Sequence, residues 1–138
     1  MGVVLHYDRC DHGCTRGIEN TARIRRAMNG APVEVSYVDR PRNFGHERGA
    51  ESLLLQEPFP YDGVIINGSA VEAAYVMDAA RMSAELGNTS FDRIVFLHSS
   101  TRPCELAELG IRCVRTTGGN GYLNPNDASA VAAILSEL

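Results

Sequence analysis

Residues 61–70 read Tyr-Asp-Gly-Val-Ile-Ile-Asn-Gly-Ser-Ala, and this segment constrains the fold more than any other part of the chain. A short apolar run stops at small polar residues, and a long helical pattern follows at once. Such a pattern is typical of a buried parallel strand that leads into a helix. Ligands of open α/β sheets bind beyond the carboxyl ends of the strands, so the sequence predicts a functional position for Asn67.

The same alternation of strand and helix runs through all 138 residues, without an internal repeat or linker. The predicted strands are residues 3–6, 33–38, 63–66, 93–97 and 111–114. The predicted helices are residues 17–28, 47–56, 71–86, 103–109 and 127–138, the last capped by Asn126 or Asp127. Five such units predict a single domain, residues 1–138, with an α/β fold: a doubly wound, flavodoxin-like three-layer α/β/α sandwich with a five-stranded parallel sheet.

The composition excludes several classes of partner. The net charge is −4 and no basic stripe is present, which argues against nucleic-acid binding. No apolar run is long enough to span a membrane and no signal peptide is visible, so we expect a cytoplasmic protein without a membrane partner. A chain with an adequate core needs no disulfides, and we expect reduced thiols at the four cysteines, Cys10, Cys14, Cys104 and Cys113.

The segment between the first strand and the first helix is crowded with reactive side chains. Cys10 and Arg16 have the Cys-x5-Arg spacing and the strand-loop-helix context of low-molecular-weight tyrosine phosphatases, in which a thiol attacks a phosphate held at a helix N-terminus. His6, Cys10, His12 and Cys14 are residue types that bind zinc, but their spacing matches no familiar zinc pattern. We therefore predict no metal and treat the thiol phosphatase as an alternative.

A second alternative rests on Glu72. The stretch Gly-Ser-Ala-Val-Glu-Ala-Ala-Tyr at residues 68–75 is similar to the Gly-Thr-Ala-x-Glu-x-Gly-Tyr stretch of nucleoside deoxyribosyltransferases. The resemblance implies that Glu72 acts as the nucleophile of an N-glycosyl hydrolase or transferase acting on nucleosides or nucleotides. As an ordinary residue, Glu72 would be a first-turn acid that interacts with the helix dipole.

From about residue 33 to the end, the chain resembles type II 3-dehydroquinate dehydratase. The family's Asp-Gly-Ile-x-Ile-Asn corresponds to Asp-Gly-Val-Ile-Ile-Asn at residues 62–67, and its Arg-Asp-Ala to Met-Asp-Ala at 77–79. Its His-Leu-Ser-Asn followed by Arg is similar to His-Ser-Ser-Thr-Arg at 98–102, and its Gly-x-x-Gly-Tyr to Gly-Gly-Asn-Gly-Tyr at 118–122. The chain departs from the family in its short loop after strand one and in lacking a histidine at residues 70–76.

The resemblance implies a divergent dehydratase, a carbon–oxygen lyase, that acts on a small carboxylated ring or polyol without a cofactor and assembles as a homo-oligomer. It implies three catalytic residues: Tyr7 as base, Asn67, and His98 as acid. It implies the substrate-binding residues Arg16, Ser99, Ser100, Arg102 and Asp78. A lyase requires a cavity that joins Tyr7, Asn67 and His98. A non-catalytic binding module, the remaining alternative, would have these side chains hydrogen-bonded and no open cavity.

Overall fold

The computed structural model describes residues 2–9, 15–31, 33–40, 53–56, 59–68 and 73–138. Its centre is a sheet of five strands: β1 (Gly2–Arg9), β2 (Val33–Arg40), β3 (Gly63–Asn67), β4 (Ile94–His98) and β5 (Arg112–Arg115). The strand order is β2-β1-β3-β4-β5, and every neighbouring pair is parallel. The predicted flavodoxin-like parallel sheet is therefore confirmed.

Within the described ranges, the long helices α1 (Thr15–Met28), α2 (Ala73–Glu85) and α3 (Pro125–Leu135) cover the two faces of the sheet. Strand side chains that point to one face of the sheet form an apolar cluster with α1 and α3. Strand side chains that point to the other face form a second apolar cluster with α2. The central strands are buried on both sides, which explains the unbroken apolar run of β3. These clusters confirm the three-layer sandwich. In the part of the chain that the structure describes, none of the helices has the length and apolar character to span a membrane.

Several element boundaries differ from the predicted ones. β1 continues through Arg9, three residues beyond its predicted end, so that Tyr7 and Asp8 belong to the sheet and not to a loop. The predicted helix at 103–109 is a 3-10 helix, Glu105–Leu109, which ends at Gly110 in the left-handed conformation with φ of 91°. Most of the predicted helix at 47–56 lies outside the described residues, within which only positions 53 and 54 are helical.

The predicted start of α3, residue 127, is two residues too late. Asn124 is the N-cap, and its side chain accepts a hydrogen bond of 2.8 Å from the backbone N of Asp127. Asp127 in turn accepts one of 3.0 Å from the backbone N of Asn124. This reciprocal pair is a capping box, with Pro125 in the first turn, where its missing N–H has no cost.

The expectation of reduced thiols is wrong for two of the four cysteines. Cys104 and Cys113 form a disulfide with Cα atoms 6.5 Å apart, across nine positions of sequence. The bond ties the segment after β4 to β5. A sufficient core removes the need for a disulfide but does not prevent one, and the sequence alone gave no distance between these thiols. Cys10 and Cys14 lie outside the described residues.

Candidate functional site

A small cavity opens at the carboxyl edge of the sheet, where β3 and β4 end. Its volume is about 210 Å³, and its lining includes four of the residues predicted from the sequence: Asn67, His98, Ser99 and Ser100. Gly68, Phe96 and Thr116 also line it. The parallel register brings these residues together, because Asn67 pairs with Leu97 and His98 with Arg115 on adjacent strands.

Tyr7, the predicted base, is not part of this lining. Its side chain is 2% exposed and belongs to the apolar cluster beneath α2, together with Leu5 and Ile66. Side chains alternate between the faces of a strand, and the extension of β1 to Arg9 therefore directs Tyr7 into one layer and Asp8 into the other. The cavity joins two of the three predicted catalytic residues, Asn67 and His98, and leaves Tyr7 in the core.

A buried ion pair, which we did not predict, lies beside the cavity. Asp8 is fully buried, and Arg16 in the first turn of α1 binds both of its carboxylate oxygens: Nε donates to Oδ2 at 3.2 Å and Nη2 donates to Oδ1. The side-chain amide of Asn67 also donates to Asp8 Oδ2, at 3.2 Å. Arg16, a predicted substrate-binding residue, is thus held by Asp8. An acid at a strand end followed by an arginine in the next helix is the sequence signal that identifies this pair.

The same polar network anchors the loop between β5 and α3. The Gly121 carbonyl accepts from Asn67 Nδ2 at 3.1 Å and from Asn20 Nδ2 at 2.9 Å, while Arg16 Nη1 donates to the Asn120 carbonyl at 3.2 Å. The loop needs this support because Gly119, Asn120 and Gly121 all have positive φ angles. Asn67 therefore donates to two protein acceptors from one amide nitrogen, which makes it a positioning residue at the cavity.

His98 is the one predicted catalytic residue whose side chain is both partly exposed and at the cavity. Its ring stacks on Phe96 with centroids 6.3 Å apart, and its backbone carbonyl accepts from Thr116 N at 2.7 Å. Burial lowers the pKa of His98 below its usual 6.5, and the positive charge of Arg115 lowers it further, against a smaller opposing effect from a hydrogen bond with the Ser100 backbone. His98 is therefore neutral at pH 7 and able to accept a proton.

The remaining predicted residues differ in their relation to the cavity. Ser100 Oγ accepts from the backbone N of Arg102 at 3.1 Å, so its hydroxyl proton is available for a ligand. The Arg102 side chain is exposed in the loop after β4, and Asp78 lies on the exposed side of α2; neither lines the cavity. Glu72 lies outside the described residues.

His6, a candidate zinc ligand, is buried beneath α1. Its Nδ1 atom is 2.8 Å from Thr21 Oγ1, which itself donates to the Gly17 carbonyl. Burial lowers the pKa of His6 to about 4, the nearby negative charge of Asp8 opposes this, and Arg16 adds to it. The other candidate ligands, Cys10, His12 and Cys14, lie outside the described residues. Among the residues that the structure describes, no group of three His, Cys, Asp or Glu side chains could hold a metal ion.

Comparison with known proteins adds no family assignment. No protein-family model matches the chain, and no curated protein matches it with significance. Arguments about function therefore rest on the chemistry of the cavity and its surroundings.

Proposed function

We propose that the chain is a lyase that dehydrates a small carboxylated ring or polyol, with 3-dehydroquinate as the reference substrate. One observation carries the proposal: Asn67, His98, Ser99 and Ser100, from two strand ends and the loop after one of them, line a single cavity of about 210 Å³. A cavity of that size favours a compact metabolite over a nucleotide or a peptide. The carboxyl edge of a parallel sheet is also where such folds bind their ligands.

In this proposal His98 transfers the proton. A neutral imidazole takes the proton from the carbon next to the substrate carbonyl, and the electron pair of the broken C–H bond forms an enolate. The enolate then expels the hydroxyl group from the β-carbon, which leaves as water with the proton returned by the imidazolium. The lowered pKa of His98 supports a role as base, in contrast to the role of acid that the sequence resemblance implied.

The other cavity residues bind and orient in this scheme. The hydroxyl groups of Ser99 and Ser100 provide hydrogen-bond donors for the substrate oxygens. Asn67 holds the end of β3 against Asp8 and Gly121, which fixes the cavity wall before the substrate arrives. Tyr7 has no step in the proposed reaction, since it lies in the core beneath α2.

The structural context of Arg16 argues against the thiol phosphatase. A phosphatase of that kind needs the guanidinium for the phosphate, whereas Arg16 binds the Asp8 carboxylate and the Asn120 carbonyl. The open cavity argues against the non-catalytic ligand-binding module, for which we expect no open cavity, although Asn67 is hydrogen-bonded as that alternative requires. No described residue bears on the glycosyl-transfer alternative, because Glu72 lies outside them.

The test is the appearance of the enone absorbance when purified protein is mixed with 3-dehydroquinate. His98→Gln should lower kcat/KM by roughly a hundredfold or more, the usual contribution of a general base. Glu85→Gln, a charge-neutralising change at the exposed end of α2, is the control and should leave turnover unchanged. The rate should fall as the pH is lowered through the pKa of His98, which burial and Arg115 hold below the usual value, because the protonated ring cannot accept a proton.

Two results would overturn the proposal. Absence of turnover by the unmodified protein would reject this substrate and reaction. A Tyr7→Phe variant that loses turnover while His98→Gln retains it would move the base from β4 to β1. Circular dichroism of each variant must match the unmodified protein, since Tyr7 belongs to the core.

A further inference from the structure

Arg115 is a positively charged residue at the carboxyl edge of the sheet, and no sequence motif identified it. It is the last residue of β5 and is in register with His98, the last residue of β4. Partners on neighbouring strands have Cα atoms about 4.8 Å apart and direct their side chains to the same face of the sheet. The residues two positions earlier, Phe96 and Cys113, also pair with each other and pack on the α2 side of the sheet. His98 and Arg115 therefore belong to the α2 side as well.

The charge of Arg115 is unsatisfied within the described part of the chain. Its side chain makes no hydrogen bond or ion pair there, in contrast to Arg112 on the same strand, whose Nη1 lies 3.0 Å from Glu137 Oε2 on the opposite face. The arginine nearest in sequence to the cavity loop, Arg102, contributes only its backbone N–H to Ser100. An exposed, uncompensated guanidinium next to a neutral imidazole is suited to an anionic ligand.

We propose that Arg115 and Ser100 form a carboxylate-binding subsite at the mouth of the cavity, so that the substrate enters with its carboxylate toward β5. The proposal rests on the proposed function for the identity of the cavity as a substrate site. The guanidinium fork pairs with both carboxylate oxygens, and the Ser100 hydroxyl donates a further hydrogen bond. Arg115 thereby takes the place of Arg102, one of the substrate-binding residues that the sequence resemblance implied.

Bound carboxylate also changes the surroundings of His98. Arg115 disfavours a positive charge on His98 in the free protein, and a carboxylate paired with Arg115 offsets that effect. Ligand binding should therefore raise the pKa of His98. The same linkage requires carboxylate to bind more tightly when His98 is protonated.

The experiment measures the affinity of quinate, a carboxylated cyclic polyol without the reactive carbonyl, by calorimetry. myo-Inositol, a cyclic polyol without a carboxylate, is the control ligand and should bind much more weakly. Arg115→Gln should weaken quinate binding by roughly ten- to hundredfold, as expected for loss of a charge-assisted hydrogen-bond pair. Arg112→Gln removes the same charge from the opposite face of the same strand and should leave the affinity within twofold.

An NMR titration of the His98 imidazole provides a readout that does not depend on catalysis. Arg115→Gln should raise the pKa of His98 in the free protein, and quinate should raise it in the unmodified protein but not in the variant. The subsite would be overturned if Arg112→Gln weakened quinate binding as much as Arg115→Gln does. It would also be overturned if Arg102→Gln weakened quinate binding and Arg115→Gln did not. Arg115-dependent quinate binding without turnover of 3-dehydroquinate would retain the subsite and reject the lyase. Turnover of 3-dehydroquinate that is insensitive to Arg115→Gln would retain the lyase and reject the subsite.

Discussion

Replacement of Arg16 by Gln tests the buried ion pair that organises the carboxyl edge. The Asp8 side chain is 0% exposed and that of Arg16 is 13% exposed, so the pair is largely removed from water. Loss of the guanidinium leaves a buried carboxylate without its counter-charge, which costs about 3–5 kcal/mol in comparable pairs. In a chain of this size that loss lowers the thermal midpoint by roughly 10–20 °C. Urea unfolding followed by far-UV circular dichroism measures the free energy directly.

The exposed pair of Arg112 and Glu137 supplies the matched control. Its side chains are 42% and 61% exposed, and Arg112→Gln should cost less than about 1 kcal/mol. A double variant, Asp8→Asn with Arg16→Gln, removes both buried charges and should cost less than the sum of the single variants. If Arg16→Gln costs no more than Arg112→Gln, the reasoning about the buried pair is refuted.

Three further predictions concern stability. Asp127→Asn should lower the free energy of unfolding by about 2–3 kcal/mol in urea, because the carboxylate accepts hydrogen bonds from three backbone amides; a loss below 1 kcal/mol would contradict this. The pKa of His6 is about 4 in the folded protein and 6.5 in the unfolded chain, so the free energy of unfolding is highest above pH 6.5 and falls by about 3 kcal/mol as the pH is lowered toward 4. His6→Gln should flatten this pH dependence of the free energy of unfolding. An unchanged slope would argue against a buried neutral ring. Reduction of the disulfide between Cys104 and Cys113, which closes a short loop, should cost about 2.5 kcal/mol, and an unfolding midpoint that ignores reductant would show that the bond contributes nothing.

The layers of the fold and the burial of β3 follow from local patterns in the sequence. Residues 64–66 are Val-Ile-Ile without a polar interruption, as expected for a strand buried on both faces, and they lie at the centre of the sheet. The start of α3 was equally visible, since Asn124-Pro-Asn-Asp127 has the spacing of a capping box. The predicted cap, Asn126 or Asp127, is wrong because Asn124 is the N-cap and Asp127 is the third residue of the helix.

The site was predictable only in part, because an error of one residue in a strand reverses the direction of a side chain. The strand ends correctly placed Asn67 and His98 at one cavity. The position of Tyr7 depended on where β1 ends, which apolar pattern alone did not define. The proximity of Arg115 to His98 depends on the register between β4 and β5, and a register is a property of the assembled sheet and not of either segment.

The most direct test of the account is the location of a bound small molecule. Amide chemical shifts of the protein should be recorded during a titration with quinate. The account predicts that the perturbed amides cluster around Asn67, His98, Ser100 and Thr116 at the carboxyl edge. The contradicting result is a set of shifts confined to the groove of about 490 Å³ between α1 and α3, near Arg26, or to the cavity at the opposite edge of the sheet.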